Sequence, residues 1–226
     1  MAERRRRLLT RVWTTALVGV LALTTGACAQ AEGPPPVVAA VAPAPEVISD
    51  DVAPRAACLE AAREAERRHN LPDGLLVGIA LNESGLHAHA LNIRGRAYYP
   101  ETRAEARRLL RAAGGRAMAG CVQVNASVHA RGGQDWPLDP YEATDWAASY
   151  LRQHYETYGD WAMAVVRWHG GSPRNMNRLV CRVRSKIDVV APESDIFRSR
   201  CGRGGVEMAR LRRNGRALLE LAEAPN

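Results

Sequence analysis

Leu76, Ile79 and Ala80 recur at the spacing of one buried stripe on a helix, and the next position on that stripe is Glu83. The stretch reads LLVGIALNESGLHAH from Leu75 to His89, so the acid comes just before a Ser84-Gly85 break. An ionised carboxylate on an apolar face is costly unless it is paired or protonated. Burial disfavours the charged form and raises a carboxyl pKa. A carboxylic acid still protonated near neutral pH is what cleavage of a glycosidic bond requires, because the leaving oxygen must receive a proton. Taken alone, the same glutamate could lie at a helix end and reach water. His87 and His89 follow closely, but their spacing with Glu83 matches no common metal motif, so neither metal nor cofactor is expected.

The elements that must position this acid can be read from turn and cap signals. ACLEAAREAERRHN forms an opening helix that Asn70-Leu71-Pro72 breaks, and a second helix runs from about Pro72 to Glu83. ALNIRGRAYYP predicts a small hairpin turning at Gly95. Thr102 and Glu105 have capping-box spacing and open a helix that closes at Gly114-Gly115. LDPYEATDWAASYLRQHYETYG is the clearest helix, capped by Asp139 and ended by Gly159. Shorter helices follow at Trp161–Trp168 and from about Pro173 to Lys186, and an amphipathic one near Val206 to Leu221. The expected fold is mostly α, a lysozyme-like α+β domain over residues 56–187 with one small β-hairpin. Residues 188–226 are read as a C-terminal extension.

Residues 1–28 carry the marks of an export signal: ERRRR and Arg11, then a short apolar run from Val12 to Leu23, then TTGACAQA. Ala27-Cys28-Ala29 fits signal peptidase cleavage. Thr25-Gly26-Ala27-Cys28 resembles a lipobox, which would make Cys28 a lipidated first residue. Both readings stand, and the chain is expected to be periplasmic or a membrane-anchored lipoprotein facing the periplasm. Residues 29–55 hold six of the thirteen prolines and read as an extended tether.

Charge and cysteines agree with export. The first 28 residues carry five Arg and one Glu, leaving +3 of the formal +7 on the remainder. That is too little clustered charge for a nucleic-acid partner. Cys58, Cys121, Cys181 and Cys201 make an even set, as disulfides in an oxidising compartment require. Three pairings are open to four cysteines. Cys58–Cys121 with Cys181–Cys201 is preferred, since it ties the opening helix to GCVQVN and closes a short local loop. Arg210, Arg212, Arg213 and Arg216 on the last helix read as a solvated face, with docking to a membrane or partner the alternative.

Read together, ACLEAAREAERRHNLPDGLLVGIALNESG, GCVQVN and YLRQHYETYGDWAMAVVRWHGG resemble the soluble lytic transglycosylase (SLT domain) family, which has a goose-type lysozyme fold and cleaves peptidoglycan. The resemblance covers about Ala56 to Lys186. It implies that Glu83 is the catalytic acid and that Ser84, Gln123 and Asn125 line the sugar cleft. The insertion ALNIRGRAYYPETRAEARRLL is similar to one in a subgroup of that family. The third motif departs from the family's Ala-Tyr-Asn-Ala-Gly. Trp168 can stack on a sugar but has no hydroxyl for the acid, and His169 can replace the Asn as a polar partner. Trp136, Tyr98 and Tyr99 are further candidates for the cleft wall, with core packing the plain alternative.

Glycosidases normally flank the bond with two carboxylates. Asp139 reads as a cap, Asp160 as a helix starter, Asp145 as part of a charged surface and Asp135 as part of a Gly-rich loop. A one-acid site is consistent with the route that the resemblance implies: non-hydrolytic cleavage of the β-1,4 bond between N-acetylmuramic acid and N-acetylglucosamine, giving a 1,6-anhydro product. A hydrolytic muramidase using Asp135 to position water is a second reading, and a non-catalytic wall-binding lipoprotein is a third. Turnover of the wall and opening it for a secretion or conjugation machine fit equally. Envelope machinery thus joins the glycan strand among expected partners.

Overall fold

The computed structural model describes residues 53–170, 176–202 and 204–224. The expected export signal, Cys28 and nearly all of the expected tether lie outside the described residues, as does the start expected for the helix near Pro173. The described chain is mostly helical with a small antiparallel sheet, the class expected from sequence.

Helix α1 (Pro54–Arg68) opens with Pro54 in its first turn and buries Ala57, Cys58, Ala61, Ala62 and Ala65. Helix α2 (Leu75–Glu83) starts three residues after Pro72, because the Pro72 carbonyl takes the Leu75 N–H and Gly74 turns the chain at φ 77°. The first-turn donors of α2 are met by Glu66 of α1. Its Oε1 accepts from Leu76 N–H at 2.6 Å and Val77 N–H at 2.9 Å, and its Oε2 from Gly74 N–H at 3.2 Å. Every residue from Leu75 to Leu81 is buried, so α2 is a core helix apolar on all sides rather than one with a single stripe. Gly78 lets α7 (Met176–Val190) lie close, since a Cβ there would sit 2.8 Å from Ile187 Cγ1.

After α2 comes the hairpin β1 (Leu91–Ile93) and β2 (Arg96–Tyr98), turning at Arg94 and Gly95 with φ 52° and 82°. The sequence signalled only this pair. Two further short strands, β3 (Met118–Ala119) and β4 (Val124–Asn125), extend the sheet to the order β2-β1-β3-β4. Between β2 and β3, α3 (Arg103–Ala112) is capped by Thr102, whose Oγ1 accepts from Glu105 N–H. A short α4 (Ala126–His129) leads to α5 (Pro140–Tyr158), whose first turn is capped by Asp139 through the N–H groups of Tyr141 and Glu142. Asp160 caps α6 (Trp161–Trp168) through Ala162 N–H at 2.8 Å.

Two hydrophobic clusters result. The larger gathers the buried faces of α1, α2, α5, α6 and α7, and the smaller joins Leu91 and Ala119 of the sheet to Ala106 and Leu110 of α3. Trp136 packs against both and marks their seam.

Past α7, a short α8 (Arg198–Cys201) precedes α9 (Val206–Glu223), which packs on α7, α1 and α2. The Lys186 ammonium, buried on α7, donates to the Leu211 carbonyl at 2.7 Å. Arg212 pairs with Asp188, and Glu223 with Arg63 of α1. Of the four basic residues on α9, Arg212 thus faces α7, while Arg210, Arg213 and Arg216 are exposed.

Cys58 is joined to Cys121 and Cys181 to Cys201, with Cα separations of 5.7 and 5.3 Å. The first link closes a 63-residue separation between α1 and the β3–β4 turn. Replacing both Cys58 and Cys121 by Ala is expected to cost about 4 kcal/mol by the loop-entropy relation. Chemical unfolding of the protein measures it, and an unchanged midpoint would show that the link contributes nothing.

Candidate active site

Glu83 is the last residue of α2 and is half-buried. The deep burial expected from its stripe is corrected: α2 runs out of core at Leu81, so Asn82 and Glu83 emerge at its edge. Asn82 Nδ2 donates to Glu83 Oε1 at 3.0 Å. Among the described residues the buried acid is instead Glu66. Its burial pushes its pKa up to about 7, against the N–H bonds from Val77, Gly74 and Leu76 that pull it down.

The turn after Glu83 is held from several sides. Ser84 is buried, and its Oγ donates to the Cys121 carbonyl at 2.6 Å, with the Ala80 carbonyl 3.2 Å away. It also accepts from His87 N–H at 3.0 Å. This hydroxyl therefore locks the first motif to the second, and the expectation that Ser84 lines the cleft gives way to a positioning place inside the protein. Arg55 donates to the Gly85 carbonyl, and Ala88 N–H to the Pro54 carbonyl at 3.1 Å.

His87 is buried in this turn, 5.5 Å from the Tyr99 ring, and its Nδ1 accepts from His89 N–H at 3.2 Å. That bond needs an unprotonated nitrogen. Burial first, then the charges of Arg55 and His89, lower its pKa to about 4. A group so depressed adds stability that is full above its unfolded value and is lost as pH falls towards 4. Relative to His87→Asn, the wild type should lose roughly 3 kcal/mol of stability between pH 7 and pH 4. Thermal unfolding of both across that window is the measurement, and parallel curves would overturn the assignment.

The second motif is a tight β3–β4 turn. Gly120 has φ 77°, and a Cβ there would lie 1.7 Å from the Pro137 carbonyl oxygen, so only glycine fits. Its N–H donates to the Ala90 carbonyl at 2.8 Å. Gln123, a non-glycine at φ 51°, is buried and donates through Nε2 to the carbonyls of Gly120 (3.0 Å) and Ala90 (3.2 Å). The Ala90 carbonyl thus receives both Gly120 and Gln123, which fixes the second motif onto the chain leaving Glu83. Asn125 is half-buried, with its Oδ1 accepting from Ser127 Oγ at 2.7 Å.

The third motif ends α6. Trp168 is half-buried and packs on the larger cluster, whereas His169 caps the helix with its backbone and is exposed. Trp168 lies 5.6 Å from Trp146 and 6.2 Å from Tyr150, and Trp136 lies 5.3 Å from Trp146. Two of the expected cleft aromatics therefore meet through Trp146, a residue the sequence reading passed over. Tyr98 sits under the Arg96 guanidinium, and Tyr99 against His87.

Each of the four aspartates considered as a second carboxylate is held elsewhere. Asp135 pairs with Arg107 and lies 3.8 Å from Arg103. Asp139 caps α5 and pairs with Arg103, Asp145 binds His69 and Arg68, and Asp160 caps α6. A groove of about 370 Å³ between α1 and α9 contains none of the motif residues. Among the described residues, no three His, Cys, Asp or Glu side chains converge as metal ligands would.

No curated protein and no solved structure matches the chain. The family model described as Transglycosylase SLT domain matches residues 60–187. That span includes Glu83, the Gly120–Asn125 turn and the end of α6. The chain belongs to the SLT-domain family, whose activity is lytic transglycosylation of peptidoglycan.

Proposed function

We propose that this protein is a lytic transglycosylase that cleaves the β-1,4 bond between N-acetylmuramic acid and N-acetylglucosamine without water. The observation that carries the reading is the placement of Glu83 at the open end of α2, where Ser84 ties its turn to the second motif, while Asp135, Asp139, Asp145 and Asp160 are engaged with arginines, a histidine or helix ends. Glu83 donates its proton to the bridging oxygen as the C1–O bond breaks. The resulting carboxylate then takes the proton of the muramoyl C6 hydroxyl, whose oxygen bonds to C1. One bond is broken and one formed, the proton on Glu83 is restored, and the product is a 1,6-anhydro sugar. Trp168 offers the acid no hydroxyl, and the Asn82 amide supplies the neighbouring donor instead. The export signal and Cys28 fit a periplasmic or lipid-anchored enzyme facing the wall.

Mass analysis of soluble products from purified peptidoglycan tests this. Anhydromuropeptides are expected. Reducing-end muropeptides would mean that water is activated, and would turn attention to Asp135 freed from Arg107. Wall binding without products would favour a binding module.

A further inference from the structure

Helix α5 carries Trp146, Tyr150, His154 and Tyr158 at a repeat of four, so they form one row along the helix, about 18 Å long at 1.5 Å per residue. The ring centroids are in sequence 5.2, 4.4 and 6.2 Å apart. Neighbouring faces of α5 bury Ala143, Ala147, Ala148 and Leu151; of the row, Trp146 packs against the larger cluster, whereas Tyr150, His154 and Tyr158 belong to neither cluster. The row's rings are half-buried at Trp146, Tyr150 and His154, and Tyr158 is 42% exposed.

We infer that this row is a carbohydrate platform that continues the catalytic cleft and binds the glycan strand beyond the sugars that flank the cleaved bond. The inference rests on the transglycosylase reading. Three observations single out a polysaccharide as occupant. The row is continuous with the candidate cleft, because Trp146 touches both Trp136 at the seam of the two clusters and Trp168 of the third motif. Its surface is made of aromatic and imidazole rings, with no Leu, Ile or Met in the row. Such rings offer a flat face to the C–H side of a sugar and a polar edge to its hydroxyls. Arg167 lies over the Tyr158 ring at 5.1 Å and adds a cation at the far end, suited to the carboxylates of peptide stems.

The test measures affinity against glycan length. In a Glu83→Gln background, so that strands stay intact, Kd is determined for short and long N-acetylglucosamine oligomers and for solubilised peptidoglycan strands. With the row intact, affinity should rise as oligomers outgrow the cleft. His154→Ala with Tyr158→Ala should remove that rise, weakening long strands by about tenfold. Tyr158→Ala alone, at an exposed position, should show part of the loss, and Tyr158→Trp should restore it. An unchanged length dependence in the double variant would overturn the platform while leaving Glu83 catalysis standing. Failure of the unaltered row to bind any oligomer or strand would overturn both readings.

Discussion

Glu83→Gln should abolish peptidoglycan cleavage and leave the fold unchanged. Gln keeps an oxygen that can accept from Asn82 Nδ2, so the hydrogen bond at the end of α2 survives. The position is half-buried, and a nearly isosteric change there should move stability by no more than about 0.5 kcal/mol. Chemistry suffers far more, because the proposed route uses the same carboxyl first as acid and then as base. Loss of a general acid–base group typically costs 10²- to 10⁴-fold, so a fall of at least about 10³-fold, roughly 4 kcal/mol of barrier, is expected. Release of soluble muropeptides gives the rate, and circular dichroism with thermal unfolding gives the fold. Turnover within tenfold of wild type would sink Glu83 as the catalytic residue.

Gly120→Ala should damage fold and site together. An alanine at φ 77° costs about 1–2 kcal/mol from the left-handed backbone alone. Its Cβ would also overlap the Pro137 carbonyl oxygen, a backbone atom in the segment that carries Trp136. The turn must open, and the bonds from Gly120 N–H and Gln123 Nε2 to the Ala90 carbonyl go with it. We expect a loss of at least about 3 kcal/mol, seen as a fall in Tm of roughly 10 °C. Activity should drop even where the protein remains folded, because Cys121 no longer meets Ser84 in register. A variant with wild-type Tm would mean that the segment from Asp135 to Leu138 yields easily, and would remove the argument that Gly120 anchors the second motif.

Local signals in the sequence determined much of the architecture. Asp139, Thr102 and Asp160 act on N–H groups two or three residues away, so the starts of α5, α3 and α6 could be read without knowing their neighbours. The Arg94-Gly95 turn is equally local, and the motif order that marked the family lies along the chain. Even the row on α5 is local, a repeat of four ring-bearing positions along one helix.

Tertiary structure decided what burial and long-range pairing control. Whether Leu76, Ile79 and Ala80 form one stripe or part of a helix buried all round depends on α1, α7 and α9. That packing is why Glu66 is the buried acid and Glu83 an edge residue. β3 and β4 are two residues each, too short for periodicity, and exist because β1 pairs with β3 and β3 with β4. Ser84 could be assigned to the cleft or the interior only once the Cys121 carbonyl stood 2.6 Å from it, 37 residues along the chain. The sequence by itself thus determined the capped helices and the β1–β2 hairpin, and it singled out Glu83 as the candidate acid. The contacts between distant segments determined how far that acid is buried and what surrounds it, because desolvation depends on neighbours that no local pattern names.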